Sequence, residues 1–198
     1  MLIRRILRAT IAVAVIGAGS VGLTAPASAS VPTHHATSST LAVDSGRTSL
    51  RIDRATAGVL ADNGVTVTAI ANASGAGRRF SFPIVDGSVD PATAAGTIEH
   101  SGGLRFTAGG TSLGVQDFVI DTTSGVLTAR VSGTSTRVSL LVLDTSGASI
   151  KATKNRLTVR NVRASLTGAA AAALNATFHV DLFTAGLPIG TVTVRARG

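Results

Sequence analysis

The 198-residue sequence contains no cysteine, no tryptophan and no tyrosine, and its only aromatic residues are six phenylalanines. The lack of cysteine excludes disulfides, thiolate metal sites, iron–sulfur clusters and thiol nucleophiles. Glutamate occurs once and lysine twice, against sixteen arginines. General acid–base catalysis usually draws on histidine, glutamate, aspartate, lysine or tyrosine, and the chain is poor in most of these. We therefore expect a protein that is not an enzyme.

Residues 1–29 have the three-part layout of a secretory signal peptide. A basic start, Met1 to Arg8, precedes an uncharged apolar run from Ala9 to Leu23, and Ala27-Ser28-Ala29 offers small residues to a signal peptidase. A membrane anchor is the alternative, but a spanning helix needs about 20 apolar residues and this run is shorter. We expect a secreted or cell-envelope protein whose mature chain has no transmembrane segment.

The positive charge of the mature chain is moderate. The full chain carries +8, and without Arg4, Arg5 and Arg8 the balance is 15 − 10 = +5. The longest run of basic residues is the pair Arg78-Arg79. Nucleic-acid binding needs a clustered basic stripe or stacking aromatics, so we expect no nucleic-acid partner. Attraction to an anionic envelope component stays open.

The region after the signal divides into a short linker and one domain. Residues 30–40 are small and polar and are predicted to be disordered. In residues 41–198, turn pairs such as Asn63-Gly64 and Ser124-Gly125 separate short segments that alternate apolar and polar residues. This spacing is typical of an antiparallel sandwich or barrel. We predict a single, mainly β domain, an antiparallel β-sandwich with two short α-helices, preceded by the signal peptide.

Three strand segments carry more specific expectations. Pro83 cannot donate a ladder hydrogen bond, so its strand is predicted to be an edge or to be bulged there. The apolar phase slips within residues 113–120, which predicts a bulge near Gln116-Asp117 that would keep Leu113, Val115, Phe118 and Ile120 inside. The run from Leu140 to Leu143 is apolar on both faces and is predicted to form the most central strand.

Two segments are predicted to be helices. Asp53 can cap a helix over residues 54–62, and Asn63-Gly64 can end it. Thr167 can cap a second helix over residues 168–174, which contains five consecutive alanines.

The few candidate reactive residues give no strong catalytic motif. Glu99, His100 and Ser101 are adjacent, and a hydrolase that uses Ser101 with His100 is one hypothesis, although triads are rarely contiguous in sequence. A polar strand end that enters a glycine turn is the favoured interpretation. No metal-binding spacing occurs, and most aspartates lie at turns, where they bond to the backbone, so we expect no metal site.

One block of the sequence resembles a known family. The segment from Gly96 to Gly110, with its glycines and alternating apolar residues, and the strand Asp117 to Ile120 are similar to the core of HtaA-type domains. These are haem-uptake-associated modules of secreted and envelope proteins in actinobacteria, and the resemblance extends loosely over residues 41–196. It implies a β-sandwich with two short helices. In the family, haem binding depends on a tyrosine ligand supported by a histidine; this chain has no tyrosine and has Ala108-Gly109-Gly110 where that histidine stands.

These observations favour a non-catalytic binding protein of HtaA-like type. Its partner is expected to be an apolar or amphipathic small molecule or an envelope component, without a required cofactor. One alternative is a structural or adhesive surface module that has no small-molecule ligand. A second is haem binding through His100 or His179 in place of the missing tyrosine.

Overall fold

The computed structural model describes residues 40–198, so the predicted signal peptide and nearly all of the predicted linker lie outside the described residues. The strands are β1 (Leu41–Ala42), β2 (Ser45–Ile52), β3 (Thr66–Ile70), β4 (Ser74–Ala76), β5 (Arg79–Val89), β6 (Gly96–His100), β7 (Gly103–Ala108), β8 (Thr111–Asp121), β9 (Val126–Val131), β10 (Arg137–Asp144), β11 (Ser149–Thr153), β12 (Arg156–Leu166) and β13 (Pro188–Arg197). The helices are α1 (Arg54–Asp62) and α2 (Gly168–Phe178).

The sheet is antiparallel and closes on itself, which corrects the predicted sandwich. Eight strands follow one another around a ring in the order β5, β2, β13, β12, β10, β9, β8 and β6, and β6 completes it by pairing with both β5 and β8. The result is a barrel-like sheet whose interior, at this strand number, is just wide enough for side chains to fill or for one small ligand. The alternation of apolar and polar residues predicts that one face of each strand is buried. It does not show that β6 pairs with both β5 and β8 and so closes the sheet.

The closure depends on a bulge in β8, at the place where the slip of apolar phase predicts one. Residues 111–116 of β8 pair with β7, whereas residues 119–121 pair with β6. The pairing with β9 shifts register between Gln116 and Val119, and Asp117 has a φ of 54°. The bulge confirms the prediction for Val115, Phe118 and Ile120, which are buried, while Leu113 is only half-buried.

One strand prediction holds in part and one is wrong. The strand of Pro83 is not an edge, because β5 has β2 on one side and β4 followed by β6 on the other, but its predicted irregularity is present just after Pro83, as a register shift between Ile84 and Asp86. β10 does not bury both faces, because Val142 is 46% exposed. Leu140 and Leu141 are both buried because a register shift between Ser139 and Leu141 turns consecutive residues inward.

The helices close one end of the ring. α1 has the predicted bounds and directs Thr56 and Leu60 inward. The predicted cap is not formed, because the Asp53 side chain makes no hydrogen bond to the first turn; Asp53 contributes only its backbone carbonyl oxygen, which accepts from the Ala57 amide. α2 begins as predicted, with the Thr167 hydroxyl accepting a hydrogen bond from the Ala170 amide, but it runs four residues beyond Leu174 to Phe178. It continues because the residues after the alanines include no helix breaker. No helix within residues 40–198 has the length and apolar character needed to cross a bilayer.

Candidate functional site

His100 lies inside the closed sheet and is held by two neighbours. It ends β6, where alternation turns its side chain inward, and it is only 3% exposed. Its Nε2 atom lies 2.6 Å from the hydroxyl of Thr48 on β2, and its Nδ1 atom lies 3.1 Å from the carbonyl oxygen of Phe118. The β8 bulge places Phe118 here, where its ring also meets the ring of Phe82 edge to face at 4.9 Å.

The two hydrogen bonds fix the tautomer of the neutral His100 imidazole. A carbonyl oxygen only accepts, so Nδ1 carries the proton and donates to Phe118, and Nε2 accepts from the Thr48 hydroxyl. Burial lowers the pKa of His100 from 6.5 to about 4, against a smaller raising effect of the Phe118 carbonyl. The imidazole is therefore neutral at neutral pH and has both nitrogens occupied.

The neighbours that suggested a triad do not contact this imidazole. Glu99 is exposed and faces away from His100, as adjacent residues of a strand must. The backbone amide of Ser101 donates to the Pro83 carbonyl oxygen, and the hydrogen bonds of the His100 ring go to Thr48 and Phe118.

His179 takes no part in this hydrogen-bonded arrangement. It is the residue that ends α2, in the left-handed conformation with φ 54° and ψ 48°, and its side chain is exposed. The structure therefore does not bring the two candidate histidines together. Within residues 40–198 no three histidine, aspartate or glutamate side chains gather as metal ligands.

The aspartates near turns bond to the backbone as the sequence predicts. Asp90, Asp121 and Asp144 accept hydrogen bonds from amides two or three residues later. Hydrogen bonds from Ser124 and Ser146, respectively, lower the pKa values of Asp121 and Asp144. Asp117 differs from these, because it pairs with Arg130 across the bulge.

Two small apolar cavities follow one another inside the ring. The first, of about 30 Å³, lies beside His100 and Thr48. The second, of about 50 Å³, lies beneath the two helices and is lined by Leu60 of α1 and Leu174 of α2. Four leucines line both cavities and separate them: Leu50, Leu104, Leu140 and Leu141.

Asn175 organises the wall of the second cavity. Its side-chain oxygen accepts hydrogen bonds from the amides of Leu182 (3.1 Å) and Phe183 (2.9 Å), and its side-chain nitrogen donates to the Phe183 carbonyl at 2.8 Å. These bonds hold the segment after α2 so that Phe183, which is 5% exposed, lines the cavity. The sequence gives no sign of this contact, because Asn175 lies seven and eight residues before its partners.

Comparison with known proteins decides the family. The HtaA family model, described as Htaa, matches residues 54–182. The chain belongs to the HtaA family. Among solved structures, the C-terminal domain of HtaA from Corynebacterium glutamicum is 18% identical and has a TM-score of 0.60, and the match covers 79% of this chain and 98% of that one. This likeness shows the fold.

A second solved structure is less similar. The haem-binding protein HtaB of Corynebacterium glutamicum is 11% identical, with a TM-score of 0.47 and coverage of 80% of this chain and 96% of that one. No curated protein matches this HtaA-family chain.

The interior of this HtaA-family protein does not fit a haem. Both nitrogens of His100 are hydrogen-bonded, and the cavity beside it has about 30 Å³. A single water needs at least about 10–15 Å³ of such space, so this cavity accommodates only a few atoms. His179 is the other histidine of the described part of the chain, and its imidazole faces solvent.

Proposed function

We propose that this HtaA-family protein is an exported, non-catalytic binding protein for a narrow apolar or amphipathic molecule. The ligand enters the ring at the helix-capped end. The observation that carries the proposal is the pair of cavities in series, whose shared wall consists of four leucines. For a hydrocarbon group to reach His100, these four side chains would have to rotate aside and join the two spaces into one slender channel.

The lining supports an apolar ligand. Of the residues around the second cavity only Thr56 carries a side-chain polar atom, and its hydroxyl is already bonded to the Pro188 carbonyl. An unbranched hydrocarbon group therefore enters without stranding a buried polar group, whereas a wide macrocycle would have to part the sheet. The neutral His100 and the Thr48 hydroxyl, at the inner end, are the groups that can meet a polar atom.

The exposed surface gives less support to the alternative of an adhesive module. The large exposed apolar side chains of the described residues are Val59, Val85, Val142 and Ile150, and they lie on four different elements. Docking of a protein partner through apolar surface requires a contiguous patch.

A fluorescent fatty acid tests the proposal. Cis-parinaric acid, whose fluorescence rises in apolar surroundings, is titrated into the mature protein. We expect saturable binding that Leu174→Phe weakens by about tenfold, since the added ring fills the cavity beneath the helices. Val142→Phe, which adds an aromatic ring at an exposed position outside the cavities, leaves the affinity unchanged. Lack of saturable binding by the wild type, or equal loss in both variants, rules the proposal out.

Haem is the second candidate, favoured by family membership together with the exposure of His179. In this version the exposed imidazole of His179, directly after α2, would hold the haem. His100 would have to give up a hydrogen bond first. When bound, haem would supply an iron that can take a further ligand. The chain itself would contribute the imidazole and the half-buried apolar side chains of Phe178, Val180 and Leu182.

The position of the haemin Soret band distinguishes His179 from His100 as the haem ligand. If His179 is the ligand, micromolar haemin shifts its Soret band on addition of wild-type protein and of His100→Gln, but not of His179→Ala. The reverse pattern assigns the ligand to His100. No shift with the wild type removes haem as a candidate and leaves the apolar-ligand proposal untouched.

A further inference from the structure

The outer surface of four neighbouring strands carries a cluster of arginines that lie far apart in the sequence. β5, β2, β13 and β12 are adjacent in the ring. Their register places Arg79 opposite Arg51, Arg47 opposite Arg195, and Arg197 opposite Arg156. All six side chains are exposed, and they come from four strands that lie far apart along the chain.

Between the first two arginine pairs lies a row of hydroxyl groups. Ser74, Ser81, Ser49 and Thr193 are consecutive cross-strand partners on β4, β5, β2 and β13. Together with Arg47, Arg51, Arg79 and Arg195 they line a shallow groove of about 650 Å³. We call this surface the arginine groove. Its lining contains no carboxylate and no exposed aromatic side chain.

Two features of the arginine groove lower the stability of the folded protein when no ligand is bound there. Like charges directly opposite each other on neighbouring strands are destabilising, and here two such pairs flank one groove. In addition, the Ser81 Oγ atom is covered from solvent and has no hydrogen-bond partner among residues 40–198. Buried polar atoms are normally satisfied, so both features indicate that a bound anion completes the surface.

The spacing indicates an extended anion. Arg47 and Arg51 are four residues apart on β2, which at about 3.3 Å per residue separates the two arginine pairs by roughly 13 Å. The Cβ atoms of the two arginines in each pair are about 5 Å apart. Their two planar guanidinium groups together match the oxygens of one phosphate. The hydroxyl row between them suits the hydroxyl groups of a sugar or polyol. If a bound anion draws aside the arginine side chains on either side of Ser81, it can also accept a hydrogen bond from the Ser81 hydroxyl, which otherwise has no partner.

We propose that the arginine groove binds a linear, base-free phosphodiester polymer built on a sugar or polyol. Nucleic acid fits less well because the groove lacks a side chain on which bases stack. A bilayer surface fits less well because none of the large exposed apolar side chains lies in the groove. The site is separate from the cavities inside the ring and does not depend on what they bind.

Binding of synthetic poly(glycerol phosphate) to the full mature protein tests this. We expect binding that weakens as salt rises, and an affinity at least about tenfold lower in the double variant Arg51→Gln with Arg195→Gln, whose salt dependence is also shallower. The matched control, Arg54→Gln with Arg105→Gln, removes two exposed charges elsewhere and changes the affinity less than about twofold. Because the first variant relieves like-charge pairs, it should unfold at the same temperature as the wild type or higher.

Parallel titrations decide between the sources of phosphate. Single-stranded DNA with the same number of phosphodiesters, and vesicles of phosphatidylglycerol with phosphatidylcholine, should bind more weakly than poly(glycerol phosphate). Three outcomes overturn the proposal: no binding of poly(glycerol phosphate) by the wild type, equal weakening in both double variants, or DNA or vesicles binding as tightly.

Discussion

The Thr48 hydroxyl donates a hydrogen bond to Nε2 of His100 across 2.6 Å in the apolar interior of the ring. The two residues are 52 positions apart in sequence. Their contact joins β2 to the end of β6, next to the bulge on which ring closure depends. It therefore links the stability of the domain to the neutral state of one imidazole.

The first prediction concerns pH. The pKa of His100 is about 4 in the folded protein and 6.5 in the unfolded chain, so between these values only the unfolded chain takes up the proton. This contribution to stability is complete above pH 6.5 and is lost as the pH falls toward 4, by about 3 kcal/mol in total. Urea unfolding at pH 7 and at pH 4.5 measures the loss.

Two variants check the assignment to His100. His100→Gln should remove most of the pH dependence between 6.5 and 4.5, whereas His179→Ala, at an exposed position, should keep it. An unchanged slope in His100→Gln would show that another group is responsible.

The second prediction separates the hydrogen bond from packing. Thr48→Val keeps the shape of the side chain but leaves Nε2 of His100 without a donor in a buried site, at a cost of about 1–3 kcal/mol. In a His100→Leu background the same Thr48→Val change should cost little, because no polar partner is left unpaired. The double-mutant cycle from urea unfolding gives the coupling, and additive effects would contradict the hydrogen bond.

The third prediction concerns the wall of the cavity beneath the helices. Asn175→Ala removes three hydrogen bonds to Leu182 and Phe183 and should destabilise the domain by about 2–3 kcal/mol. Amide hydrogen exchange at Leu182 and Phe183 should accelerate more than exchange in the ring strands. Asn175→Asp keeps the two acceptor contacts and should retain most of the protection; equal exchange in the two variants would argue against the contacts.

The fourth prediction compares two glycines. A Cβ atom at Gly103 would lie 2.0 Å from the Val115 carbonyl oxygen, where β7 and β8 approach closely, so Gly103→Ala should strongly destabilise the fold. Gly58, in α1, has open space around it, and Gly58→Ala should stabilise the helix by about 0.5–1 kcal/mol. Thermal unfolding of the two variants should shift in opposite directions.

Local features of this fold were predictable from sequence because their causes are local. The end of α1 follows from Gly64, which takes a φ of 66° just after the helix, and the bulge at Asp117 follows from the slip of apolar phase around it. The closed ring was not predictable, because it depends on which strands meet. The burial of both Leu140 and Leu141 likewise follows from a register shift that one strand does not encode.

Contacts between strands that are distant in sequence also explain why the sequence did not predict the surroundings of His100 or the arginine groove. His100 was singled out as a polar residue, but its partners Thr48 and Phe118 come from strands on either side in sequence. The arginines of the groove are unremarkable one at a time. Only the register of β2 against β5 and β13 brings Arg51 opposite Arg79 and Arg47 opposite Arg195.

The pairing of β2 with β13 has a consequence for the order in which the domain folds. These strands lie at opposite ends of the domain sequence, so the ring is incomplete until residues 188–197 have left the ribosome. Such long-range pairing is slow to form compared with helices and hairpins. A nascent chain that ends before β13 therefore leaves the facing edges of β2 and β12 unpaired.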